Sequence, residues 1–378
     1  MTHLPINGKS SDFKKHQGAC MKSRNDRVLE WAASKVARDF KDDVAILAVY
    51  GSYVNGTSDE LSDVDFFFIP KTERGLELSK TFIIEGVGFD LFPMRWARVE
   101  KLADFLEPLA PLLGDSRIAF ASSAEDEQRF LSLRGKMECN LKDARFMHGR
   151  ASDSFRKGFL YLHELRAEQG TGPCRLLAGQ MMLCLSDAVA YENQTYFRKG
   201  LKSHFDDLSV MKALPKGFLE SYDGIIGAAD EASLKDSAER MATCCRAFIG
   251  AATEGLQGPE PSSPAVEAPS GSVAPMDYDE LVSFYEEAVS TFNKVWRSCD
   301  GDSPNCRNAF ISGVCLQRVL DEEVPQLGLE VLGSFDCRNL ERFSSAVRQA
   351  EEAIVSCIEK VRPLVRYGSV EEFLTSSV

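Results

Sequence analysis

The 378-residue sequence lacks any apolar run near the ~20 residues that a helix needs to cross a bilayer; its longest are short stretches such as Val44–Tyr50. The opening residues, MTHLPINGKSSDFKKHQ, hold no apolar centre, so a secretory leader is not expected. Basic charge is also short. Lys and Arg number 44 against 57 Asp and Glu, a formal net charge of −13. Such a surface repels phosphate backbones and makes a nucleic acid an unexpected partner. Eleven cysteines are present, but Cys20, Cys139, Cys174, Cys184, Cys244, Cys245 and those from Cys299 onward form no CxxC pair and no zinc pattern. In an unexported chain of this size they are expected to be small, mostly buried apolar residues. No internal repeat is evident. These absences together describe a soluble cytoplasmic protein.

What is present can build a core. The chain is 44% hydrophobic and 27% charged, ordinary globular values that exclude a disordered, collagen-like or coiled-coil chain. Its length suits two or three domains. Residues 1–22 are polar and aperiodic, and read as a loose arm. From Asn25, residues Val28, Leu29, Ala32, Val36 and Phe40 recur at helical spacing, with Asn25 or Asp26 as the expected N-cap. Val44–Tyr50 then reads as a buried strand ended by Gly51, and 63–69 (DVDFFFI) as a second. Segments 81–85 and 89–92, around Gly86 and Gly88, read as a hairpin. After Arg95 strand signals stop, and helices are expected over about 125–146, 153–169, 174–191 and 232–252. Pro259, Pro261, Pro264, Pro269 and Pro275, with Ser, Gly and Ala, mark 257–275 as a linker. Helices are expected again over 278–296, 305–320 and 339–361. The fold class is α+β: a small mixed-sheet domain over 23–120, a helical domain over 121–256, and a C-terminal helical region over 276–378 that docks on it.

One constellation carries chemistry. Gly51-Ser52 follows the first strand, Asp63-Val64-Asp65 opens the second, and Asp90 lies in the hairpin between Phe89 and Leu91. Residues two apart on a strand share a face, so Asp63 and Asp65 point together while Val64 and Phe66 enter the core. Asp90 on a neighbouring strand can reach the same face. Three crowded carboxylates repel one another and need a counter-charge, which a hard divalent cation supplies. A strand ending in Gly-Ser can turn tightly into a short helix and aim backbone N–H groups at a phosphate.

Through Gly51-Ser52, the ten residues from Tyr53 to Ser62, Asp63-x-Asp65 and the later Asp90, the sequence resembles the nucleotidyltransferase superfamily of DNA polymerase β. It is most similar to the minimal and antibiotic-modifying branches, over about residues 25–95. The resemblance implies that Gly51 and Ser52 bind nucleotide phosphate and that Asp63, Asp65 and Asp90 hold Mg²⁺. It also implies transfer of a nucleotidyl group from a nucleoside triphosphate, with ATP the expected donor, to an acceptor hydroxyl, with release of pyrophosphate. The acceptor is an aminoglycoside-like small molecule on the first reading. Adenylylation of a partner protein, or non-catalytic nucleotide binding, are the alternatives.

Further candidates come from the helical part. Arg198 and Lys202, within 193–202, carry basic charge that can reach a triphosphate across a cleft, or can sit on a solvated turn. Glu164, Glu168, Asp187 and Glu192 are possible general bases, with nothing in their spacing to choose among them. Arg156 to His163 and Arg198 to His204 satisfy the loose Arg-to-His spacing of one ribonuclease group. Two matches among only five histidines make that spacing uninformative.

Overall fold

The computed structural model describes residues 23–58, 62–200, 203–254, 278–300 and 304–377. The expected arm at 1–22, the linker at 257–275 and Lys202 lie outside the described residues. The chain opens with α1 (Arg24–Asp39). Its N-cap is Ser23 rather than Asn25 or Asp26: the Ser23 hydroxyl accepts from the Asp26 N–H at 3.2 Å, and the Asp26 carboxylate accepts from the Ser23 N–H at 3.1 Å. This reciprocal box satisfies two otherwise unpaired donors. Asn25 is buried instead, and its Nδ2 donates to the Ser62 carbonyl at 2.9 Å. That bond ties the first helix to the approach to Asp63.

A five-stranded sheet follows, built from β1 (Val44–Tyr50), β2 (Asp65–Pro70), β3 (Lys80–Ile84), β4 (Val87–Pro93) and β5 (Arg117–Ala121) in the order β3-β4-β2-β1-β5. Only β2 and β4 run parallel; the other pairs are antiparallel. Strand β5 corrects the expectation that strands end after Arg95. Its segment RIAFA is an edge with little burial, so it lacks the continuous apolar run that marks β1. The short helices α2 (Gly51–Asn55), α3 (Trp96–Ala103) and α4 (Pro111–Gly114) fill the connections.

Alternation on the strands makes two cores. Leu47, Val49, Phe66, Phe68, Phe82, Phe89 and Leu91 pack with α1 on one face. Ile46, Ala48, Phe67, Ile69 and Ile83 pack on the other, continuous with the helical core. Each fully buried Phe contributes about 2–3 kcal/mol of transfer free energy. The helices are α5 (Ala124–Lys142), α6 (Ala144–Ala167), α7 (Thr171–Glu192), α8 (His204–Ser209), α9 (Phe218–Ile226) and α10 (Glu231–Glu254), then α11 (Tyr278–Asp300), α12 (Cys306–Glu323), α13 (Glu341–Glu359) and α14 (Val370–Ser376). Among the described residues no helix is long and apolar enough to cross a membrane.

Two C-terminal pieces reach back to the sheet. Helix α11 seats on β4 at Gly88, where a Cβ would lie 2.4 Å from the Glu286 carbonyl oxygen. Any side chain at Gly88 would push α11 away. Tyr367 pairs with the β3 edge: its N–H donates to the Ile83 carbonyl and its carbonyl accepts from the Glu85 N–H, both at 2.9 Å. Helix α14 then lays Phe373 against Phe82, stacked with centroids 4.2 Å apart, and against Trp31 at 4.8 Å.

Candidate functional site

The sheet face that carries Phe67 and Ile69 also carries Asp65, by the two-residue period of β2. On β4, Val87, Phe89 and Leu91 enter the α1 core, so Gly88, Asp90 and Phe92 face the helices. The parallel register pairs Phe66 with Leu91, which sets Asp65 beside Asp90. Asp63 precedes β2 rather than lying within it. Val64 beside it is buried in the α1 core, and Asp63 remains half-buried on the opposite side. All three acids line one cavity of about 1510 Å³ between the sheet and α11, α12 and residues 362–365.

Burial and crowding load this wall. Burial raises the Asp65 carboxyl from its ordinary 3.8 to about 7; Asp63 and Asp90 push the same way, and Lys294 opposes them. Asp90 is raised to about 7 as well, by burial, then by Glu287 and Asp63. Tyr50, which ends β1 at the same place, has its phenol pushed well above 10, by burial and then by the three acids. Gly51 fits against Asp65 so closely that a Cβ would lie 2.1 Å from Asp65 Oδ2, and its φ of +74° is the left-handed conformation that glycine tolerates. The Gly-Ser turn therefore makes room for a carboxylate as well as bending the chain.

The opposite wall comes from residues far along the sequence. On α11, Glu287, Thr291 and Lys294 recur at helical spacing and line the cavity together. Thr81 Oγ1 donates to Glu286 at 2.6 Å and Asn293 Nδ2 donates to the Gly86 carbonyl at 3.0 Å, which fixes α11 against the hairpin. Burial and then Glu323 raise the Glu287 carboxyl; burial is also the largest cause of the raised Glu286. Among the described residues no ion pair holds the Lys294 ammonium. Glu322 and Glu323 of α12, Arg98 of α3, Lys80 of β3 and Arg362 also line the cavity, with Arg98 Nε donating to Glu107 at 2.8 Å. None of these residues stands in the motif that marks the first wall.

The other expected residues lie elsewhere. Ser52 is partly buried in α2, off the cavity lining, with its carbonyl accepting from the Thr57 N–H at 3.0 Å. Arg198 pairs with Asp115 and stacks on Tyr196 at 4.3 Å, while its carbonyl accepts from Asn55 Nδ2 at 3.1 Å. Its segment thus reaches the end of α2, but the guanidinium is engaged outside the lining. Glu164, Glu168, Asp187 and Glu192 are likewise absent from the lining. Glu192 accepts from or shares a proton with His148 Nδ1 at 2.6 Å, and burial raises Asp187 to about 7 within α7. His204 is buried against Phe197 and Tyr222, and burial lowers it to about 4.

Among the described residues no group of three or more His, Cys, Asp or Glu side chains is drawn close enough to cage a metal. The donors along the first wall nevertheless suit a hard divalent cation. They are carboxylates, two of them are costly to ionise without a counter-charge, and all three line the same cavity.

Residues 29–112 match the family described as nucleotidyltransferase domain. A solved structure of a nucleotidyltransferase-like protein from Exiguobacterium sibiricum is 12% identical, with a TM-score of 0.38, covering 59% of this chain and 75% of that one. No curated protein matches the sequence. The matched segment contains Gly51, Ser52, Asp63, Asp65 and Asp90, and α11 and α12 lie outside it. Residues 29–112 are thus similar in sequence to the nucleotidyltransferase domain family, within an α+β chain whose remaining residues extend beyond that match.

Proposed function

We propose that the cavity binds a nucleoside triphosphate with Mg²⁺ and transfers its nucleotidyl group to the hydroxyl of a cationic small molecule, releasing pyrophosphate. The observation that carries this reading is the alignment of Asp63, Asp65 and Asp90 on one cavity wall, inside the segment that matches the nucleotidyltransferase domain. At such a site a divalent cation supplies charge neutralisation on the phosphates and activation of the attacking oxygen. The chain's own part is positioning. Asp63, Asp65 and Asp90 hold negative charge where a cation would be bound, and Gly51 lets the chain pass close behind Asp65. Lys294 offers a positive charge from the other wall to the anionic triphosphate. ATP is the expected donor and is named from the family resemblance alone.

The acceptor class is argued from the rest of the lining. On the helical side six acids, Asp279, Glu280, Glu286, Glu287, Glu322 and Glu323, border the cavity against two cations, Lys294 and Arg362, the latter paired with Asp279. A wall of that charge attracts a cation and repels a second phosphate ester, which favours an aminoglycoside-like acceptor over a nucleic acid. The test is pyrophosphate release by the full chain with ATP and Mg²⁺, with and without a panel of aminoglycosides, beside labelled-ATP incorporation into lysate proteins. Release that requires an aminoglycoside and disappears in Asp63→Asn supports the proposal. Label on proteins alone makes the chain a protein-adenylylating enzyme, and ATP binding with no label on any acceptor makes it a nucleotide sensor.

A further inference from the structure

Apolar side chains left in water stand at the open side of the cavity. Val365 is 58% exposed and Leu109 50% exposed, yet both line it. Leu109 comes from the connection between α3 and α4. Val365 belongs to the connection between α13 and α14, which passes the cavity as a strap and adds Pro363 and Leu364 to the lining. Exposed apolar surface rimmed by polar groups marks a place where something binds.

The strap is tied at both ends. The Tyr278 hydroxyl donates to the Ile358 carbonyl at 3.2 Å, and Arg362 donates to Asp279 at 2.7 Å. Arg366 then donates to the Tyr285 hydroxyl at 3.2 Å, and Tyr367 is bonded to the β3 edge. Between these ties Pro363, Leu364 and Val365 are held against the cavity.

Negative charge stands on the same lining. The Asn305 N–H at the start of α12 donates to the Ser298 carbonyl near the end of α11 at 2.9 Å, so α12 turns back along α11. The last turns of α12 then lie beside the first turns of α11, and Val319, Glu322 and Glu323 share the lining with Glu280 and Ser283. Glu322 meets Arg318 at 3.8 Å, and among the described residues no cation pairs with Glu323. Arg362 is already engaged by Asp279.

This end is set apart from the three acids of the sheet. Strand β4 meets α11 at Glu286 and Val289, over Gly88. Glu280 and Ser283 precede that contact by roughly 5–10 Å along the helix axis. The whole cavity, about 1510 Å³, also exceeds the about 300–1,000 Å³ that commonly encloses one small ligand. A nucleotide held at the carboxylates leaves room here for a second molecule.

We infer that the end of the cavity between the first turns of α11, the last turn of α12 and the strap is the acceptor subsite, and that it takes an organic amine with an aromatic or aliphatic body beside its charge. The inference rests on the nucleotidyl-transfer reading above and narrows its cationic acceptor. The ammonium group lies against Glu323 and Glu280, and the apolar body covers Leu109, Leu364 and Val365. A purely polar polycation satisfies the acids but leaves those side chains in water. A neutral apolar molecule covers them but gives the acids no counter-charge. Selectivity is the difference between these affinities.

The test is calorimetric titration of the full chain with three probes of similar length: phenylbutylamine, diaminobutane and phenylbutanol. The first is expected to bind at least about tenfold more tightly than either of the others. Val365→Ser and Leu109→Ser should each shrink its advantage over the diamine, and Glu323→Gln its advantage over the alcohol, by about threefold or more. Both serines replace exposed residues, and circular dichroism checks that the fold is kept. No binding, equal affinity for the three probes, or a preference untouched by all three substitutions would overturn the inference. Titration of the unsubstituted chain with Mg²⁺ and a non-hydrolysable ATP analogue separates the two readings. Analogue binding without amine preference sinks the subsite alone, whereas amine preference without analogue binding sinks the transfer reading and the acceptor role with it.

Discussion

The two walls of the cavity were specified in different ways. The sheet wall is local. Gly51, Asp63, Asp65 and Asp90 fall within forty residues, and strand alternation alone puts the acids on one face. The helical wall is assembled from distance: Glu287 and Lys294 come from α11, Glu322 and Glu323 from α12, and their position depends on α11 seating at Gly88. A motif can mark the first kind of wall, whereas only tertiary packing makes the second.

The largest effect should come where the C-terminal chain joins the sheet. Phe373 is fully buried and stacked on Phe82, so Phe373→Ala should cost about 3–5 kcal/mol in chemical denaturation, a cost typical of a deleted core ring. A loss below 1 kcal/mol would mean that the sheet core is complete without the C-terminal helix.

The two halves should also respond to pH with opposite signs. His204 in the helical half ordinarily titrates near 6.5 and is lowered to about 4 by burial. Acidification from about pH 6.5 to 4 then protonates only the unfolded state, and stability falls by about 3 kcal/mol. Asp65 and Asp90 are raised from 3.8 to about 7, so their contribution falls as pH rises across that interval, where the unfolded state ionises more readily. Unfolding measured from pH 4 to 8 should show His204→Gln losing the acid-side decline and Asp65→Asn losing part of the alkaline-side one. An unchanged slope in either variant would contradict the corresponding burial.

Gly51→Ala tests the sheet wall by geometry alone. Its methyl would meet the Asp65 carboxylate and the left-handed backbone would strain by about 1–2 kcal/mol. Displacing a reacting group by about 1 Å can cost about 100-fold, and turnover should fall by that order while the chain stays folded by circular dichroism. Lys294→Ala tests the helical wall and should weaken nucleotide binding by about tenfold in calorimetry, the scale of one charge-assisted contact. Equal affinity in that variant would leave the triphosphate to the sheet wall alone.

The limits of the sequence follow from the same contrast. The β1, β2 and hairpin strands were legible because continuous apolar runs and their alternation are local signals, and Asp63-x-Asp65 stands at the end of one of them. β5 was not, since an edge strand with exposed Arg117 and Ala119 carries neither pattern. Ser23 was missed as a cap because Asn25 and Asp26 were equally suitable by type; the Asn25 bond to Ser62 decides between them. Glu287 and Lys294 fit the polar stripe of any amphipathic helix, and spacing gives no clue to what the stripe faces. Arg198, singled out for its charge, is engaged by Asp115, which one-dimensional reading cannot reveal.

The most direct measurement is equilibrium binding of a non-hydrolysable ATP analogue to the full chain, with Mg²⁺ and with chelator, for the unsubstituted protein and Asp65→Asn. The account predicts Mg²⁺-dependent binding that weakens at least about tenfold in Asp65→Asn. It also predicts that the variant melts no lower at pH 8, because a carboxylate that is costly to ionise has been replaced by a neutral amide. Binding that is indifferent to both Mg²⁺ and the substitution would contradict it.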